Sequence, residues 1–92
     1  MAGRLTGAEG RREAFNLISS ERLDDAHDLV QNDSSPDASY LHGMIHREEG
    51  DLDNARYWFA RAGEVVARLG FDPMTVDRET ERTALRCDLG AD

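Results

Sequence analysis

Three histidines carry the coordination chemistry that this chain could perform. His42 and His46 stand four residues apart. On an α-helix that spacing puts both imidazoles on one face, one turn apart, where they can share a metal ion. His27 falls on the core-facing edge of the preceding predicted helix, so packing of that helix on the next brings a third nitrogen toward the pair. Glu49 is the nearest carboxylate on the same face. The run reads His42-Gly43-Met44-Ile45-His46, without the glutamate that follows the first histidine of a metalloprotease helix, so that reaction has no general base here. The plainer expectation, which the sequence favours, is a pair of half-buried packing residues hydrogen-bonded to carboxylates or backbone. A divalent-metal site of His42, His46 and His27 stands second, and a ligand-binding or pH-sensing role third.

A second group lies further along, at Tyr57, Trp58, Phe59 and Arg61. Trp58 and Phe59 are expected in the core. Tyr57 and Arg61 are expected outside it, near Arg68, as an aromatic-and-arginine stripe of the kind found in binding hot spots. Simple solvation explains that stripe about as well. Arg47 falls opposite the histidines, beside Tyr40, and is expected to pair with an acid across the hairpin. His42 and His46 with Asp51 or Asp53 do not make a reaction centre, because no nucleophile at a strained turn, oxyanion hole or phosphate loop accompanies them. Ser34-Ser35 reads as turn chemistry, and Cys87 as an inert thiol in a terminal helix. The expectation is therefore a protein with no catalytic residue, not an enzyme.

These side chains need helices to position them. Residues 1–7 are Gly-rich and expected to be disordered; a single domain is expected over 8–89, with a tail at 90–92. Helix periodicity predicts elements at about 8–19, 20–31 (capped by Ser20, with Glu21 in its first turn), 37–49, 52–69 and 73–88. Gly50 should close the third as a left-handed C′ residue. Ala55, Trp58, Phe59, Ala62, Val65, Val66 and Leu69 share one face of the fourth, which Gly63 interrupts without breaking. Asp72-Pro73 reads as the start of the last helix. That helix is thin in apolar residues and reads as a cap with a mostly solvated face.

Leu23-Asp24-Asp25-Ala26 and Leu52-Asp53-Asn54-Ala55 match at an offset of 29 residues, and Leu29-Val30 and Trp58-Phe59 follow at the same offset. Two hairpins with a common start to the second helix, then a closing helix, is the form of a short solenoid. The hairpin 36–67 resembles a tetratricopeptide repeat: Gly43, Gly50-Asp51, Ala55, Phe59 and Ala62 stand at that repeat's small-residue and aromatic spacing. The likeness covers about a third of the chain, with the first two predicted helices as a degenerate, shortened second copy. His42 and His46 depart from it, standing where the repeat usually has a leucine and a tyrosine. The segment 26–63 is also similar to a set of short uncharacterised proteins, which implies no activity. The resemblance implies an all-α fold of two TPR-like αα-hairpins and a C-terminal capping helix, five helices in all. It also implies a module that docks a protein or peptide; the residues themselves offer His42, His46, Tyr57, Arg61 and Arg68 as candidate contacts.

Composition narrows the classes. With 92 residues the chain is one small domain. A formal net charge of −8, with every base an arginine, speaks against nucleic acid and anionic membrane. No apolar run approaches the ~20 residues of a bilayer span. One cysteine rules out an internal disulfide and a thiolate zinc ribbon. The first residues lack the apolar stretch of a signal peptide, so a cytoplasmic location is expected. A solenoid this short exposes apolar end faces, and a second copy is the simplest cover for them, so a homodimer stands as an alternative to docking a peptide or helix in the groove.

Overall fold

The computed structural model describes residues 7–90, and within them the chain forms helices and no strand. The helices are α1 (Gly7–Ser19), α2 (Leu23–Val30), α3 (Pro36–Glu48), α4 (Leu52–Arg61), α5 (Gly63–Leu69) and α6 (Arg78–Leu89). None is long and apolar enough to cross a membrane. Of the expected tails, residues 1–6 and 91–92 lie outside the described residues. Gly7 opens α1, and Gly90 closes α6 in the left-handed conformation at φ +69°.

α3 is the central element. Every residue from Ala38 to Ile45 is buried, and Arg47 with them. Ser35 caps it by accepting a bond from the Ala38 N–H at 3.1 Å, and Pro36 occupies its first turn. α3 packs on α4 most extensively, and also on α1, α2 and α5. Phe15, Ile18, Val30, Phe59, Val65 and Leu85 of the other helices share one core with its Leu41 and Ile45.

The repeat seen in the sequence recurs in the backbone. At the end of α1 the Arg22 N–H reaches Leu17 O at 2.8 Å and the Glu21 N–H reaches Ile18 O at 3.0 Å. At the end of α3 the Asp51 N–H reaches His46 O at 2.9 Å and the Gly50 N–H reaches Arg47 O at 3.0 Å. Each pair is the six-to-one and five-to-two arrangement of a Schellman turn, with a left-handed residue at C′. That residue is Glu21 at φ +62° in the first turn and Gly50 at φ +82° in the second. Donors, acceptors and left-handed residues all correspond at the 29-residue offset. Small residues also correspond: Ala14 is fully buried on α1, and Gly43 on α3 meets Phe59 so closely that a Cβ would stand 2.7 Å from its ring.

Three expectations change. Ser20 does not cap α2. Its N–H and that of Glu21 are spent on α1 carbonyls, so α2 starts at Leu23, without a side-chain cap. A Schellman turn on a glutamate has no glycine to announce it. The fourth predicted helix becomes two, giving six helices rather than five. Ala62 takes φ −98° and ψ 25°, and its N–H is shared between Trp58 O and Phe59 O. The apolar spacing runs on through the break, with Ala55, Phe59, Ala62 and Val65 all buried, so periodicity alone reads one helix. The last helix starts at Arg78 rather than at 73. Asp72 caps only one turn, accepting from the Met74 N–H at 2.9 Å. The Pro73 carbonyl, which a helix would offer to residue 77, accepts from Arg47 Nη1 at 2.7 Å instead. Asp77 is the working cap, accepting from the Thr80 N–H at 3.0 Å.

α6 is held by charge as well as by apolar contact. Glu81 is fully buried and bridges Arg47, at 2.6 and 2.9 Å, and the Tyr40 hydroxyl, which donates to it at 2.6 Å. Burial, then the bond to Glu81, pushes the Tyr40 hydroxyl well above its ordinary range, so it stays a donor. Arg47 therefore finds its acid on α6 and in neighbouring Glu48, not across the α3–α4 turn. Among the described residues no buried side-chain nitrogen or oxygen lacks a partner.

Candidate metal centre

α3 presents His42 and His46 one turn apart, and α2, packed beside it, presents His27. The ring centroids lie 4.6 Å apart for His27 and His42, 4.9 Å for His42 and His46, and 6.0 Å for His27 and His46. One ligand nitrogen from each ring falls within 4.8 Å of the other two. Tetrahedral zinc with bonds of about 2.0–2.1 Å sets its donors roughly 3.4 Å apart, a little closer than the limit within which these three nitrogens lie. His42 is 6% exposed, His27 is half-buried, and the His46 side chain is 17% exposed. The cluster thus has a dry side at His42 and a wetter side at the other two.

Electrostatics keep the buried ring uncharged. Burial, reinforced by repulsion from His27 and His46, pulls the His42 imidazole down to about 4. At neutral pH it is therefore uncharged, with a free lone pair on one of its two nitrogens. His46 Nδ1 stands 3.1 Å from Glu49 Oε1. That bond fixes the proton on Nδ1 and leaves the Nε2 lone pair for coordination, as a carboxylate behind a ligating imidazole does. Trp58 lies flat on His42 at 3.8 Å and 7°, and so fixes the plane of the buried ring.

Trp58 also joins the two groups picked out in the sequence. The Arg61 guanidinium lies 5.6 Å from the Trp58 ring and 5.7 Å from that of Tyr57, and its Nη1 donates to the Tyr57 hydroxyl at 3.4 Å. Tyr57 is 54% exposed. Arg68 is engaged elsewhere, clamping Asp37 on α3 at 2.9 Å and Asp88 on α6 at 2.8 Å. The structure thus brings His27, His42 and His46 together and sets Tyr57 and Arg61 beside them, while Arg68 ties helices.

Trp58 as a half-buried platform and Glu81 as a buried acid were not foreseen. The helical wheel placed Trp58 on the core side but carries no information about which ring it meets. Glu81 sits among Arg78, Glu79, Thr80 and Arg82, a context that reads as solvated. A separate cavity of about 260 Å³ opens between the α1–α2 turn, α3 and α6, with Ile18, Leu23 and Met44 beside the Arg47–Glu81 pair. Comparison with family models, with curated proteins and with solved structures finds no match to this chain.

Proposed function

We propose that the chain is a small, non-enzymatic helical module that binds a divalent transition metal through His27, His42 and His46. The observation that carries this reading is the convergence of three imidazole nitrogens, from two separate helices, within 4.8 Å of one another. A nitrogen-only donor set suits zinc, nickel or copper and gives magnesium or calcium, which take oxygen ligands, little to hold. Cys87 is exposed on α6 and is no part of the set. The ion would bridge α2 to α3, which is the seam between the two repeated helix pairs. We read those pairs as TPR-like hairpins, supported by the matching turns and by the Gly43–Phe59 contact. A cytoplasmic location belongs to the same reading, supported by the single thiol.

A second reading, a module that docks a protein or peptide or pairs with its own copy, is favoured by the exposed Tyr57 with Arg61 stacked over it. One experiment separates the two. Protein purified without a histidine tag is assayed for bound metal and melted before and after chelation, alongside the His42→Ala/His46→Ala double variant. The metal reading expects stoichiometric metal, a melting point that falls on chelation, and a double variant indifferent to chelator. Metal-free protein with an unchanged melt would sink it and leave a packed histidine cluster with the interaction surface as the active feature.

A further inference from the structure

The metal reading leaves a coordination position unaccounted for. The cluster offers three donors, and among the described residues no further histidine, cysteine or carboxylate joins it. Glu49 is the nearest acid, and it is committed to His46 Nδ1 at 3.1 Å, behind the ligand rather than in the cluster. Zinc-class ions that carry only three protein donors keep an exchangeable fourth position, whereas structural sites close it with a fourth side chain. Three neutral imidazoles also leave the ion its whole dipositive charge, since no thiolate or carboxylate in the set offsets it. The half-buried His27 and the partly exposed His46 give that side of the cluster access to water, while Trp58 and the packed face of α3 close the other.

We infer that the metal-loaded protein is an open three-histidine site that takes a small monodentate anion at its fourth position. The inference rests on the metal reading and says what the site is for: it is a receptor for an anionic lone-pair donor rather than a structural staple. Binding exchanges one bond for another. The anion's lone pair forms a bond to the metal as the metal–water bond breaks, the water leaves to solvent, and no electron or proton changes hands.

Cobalt(II) replaces zinc in such sites and reports its coordination in visible absorption, so the test uses the full chain loaded with cobalt(II) and titrated with azide. The expected result is a four-coordinate cobalt spectrum that shifts with azide and saturates at one azide per cobalt. His27→Ala, a change at a half-buried position, should lose that spectrum while the chain keeps its helical circular dichroism. A four-coordinate spectrum that ignores azide in the wild type overturns the inference and leaves the metal reading standing. If azide then shifts the spectrum of Glu49→Gln, Glu49 is the fourth ligand and the site is closed. Absence of any four-coordinate cobalt spectrum in a folded chain overturns the metal reading and the anion receptor together.

Discussion

His42 is held neutral inside the metal-free protein, and that has a consequence for acid stability. Its folded value of about 4 lies below the ordinary 6.5, so between those values the unfolded chain binds more protons than the native one. Stability is then fully present above about pH 6.5, is lost as the pH falls toward 4, and levels off below. One unit corresponds to about 1.4 kcal/mol, so the full loss is on the order of 3 kcal/mol. His27 and His46 face the ring, and Glu49 acts on it only through His46. Urea midpoints of chelated protein between pH 4 and 7 should fall along this slope, and His42→Gln should flatten it. An equal slope in both proteins would remove His42 as its source. Asp33 titrates in a different window: burial raises it, but bonds from Ser35 and Arg11 outweigh that and hold it below its ordinary value. At this scale the sequence was legible where spacing decides, as in His42 and His46 one turn apart. It was illegible where ring planes decide, as in Trp58 lying flat on His42.

Among the helices, α6 shows how charge density misleads. Its run of charged residues reads as a solvated cap, yet Glu81 is fully buried and holds Arg47 and Tyr40 of α3. An acid buried by a partner about thirty residues away leaves no local pattern, because periodicity registers only apolar faces. Removing one member of a buried pair strands the other charge, so Glu81→Ala should cost roughly 3–5 kcal/mol in urea unfolding. Arg47→Met/Glu81→Leu, which removes both charges, should recover part of that loss, since the Tyr40 hydroxyl and the Pro73 carbonyl lose their partners in it. A double variant as unstable as the single one would mean that the stranded charge is not what makes Glu81→Ala costly. Where a turn residue announces itself, boundaries were readable: Gly50 ends α3 at the left-handed C′ position. At the equivalent Glu21 the same turn was missed.

For the molecule as a whole, the position of the three histidines matters as much as their chemistry. They lie where α2 meets α3, so a bound ion would tie one repeated pair of helices to the other. An ion that binds only the folded chain stabilises it by mass action, about 2.7 kcal/mol at a hundredfold excess over the dissociation constant. For a domain this small that amounts to a rise of roughly 10–20 °C in melting temperature. Scanning calorimetry across a zinc series should show the rise growing with the logarithm of free metal. A rise that stops at the first equivalent would point to something other than simple linkage. The all-helical class and the 29-residue repeat were legible from apolar spacing and turn residues. The sixth helix was not, because the break at Ala62 leaves the buried stripe intact.

Trp58, the single tryptophan of the chain, lies on the ring of His42. The molecule therefore carries its own optical probe beside the three-histidine cluster. Indole emission, excited without interference from the two tyrosines, senses the charge and distance of the imidazole stacked on it. Protonation of His42, arrival of a paramagnetic ion or rotation of the ring would each change its intensity. Events at the cluster can thus be followed in real time on the unlabelled protein.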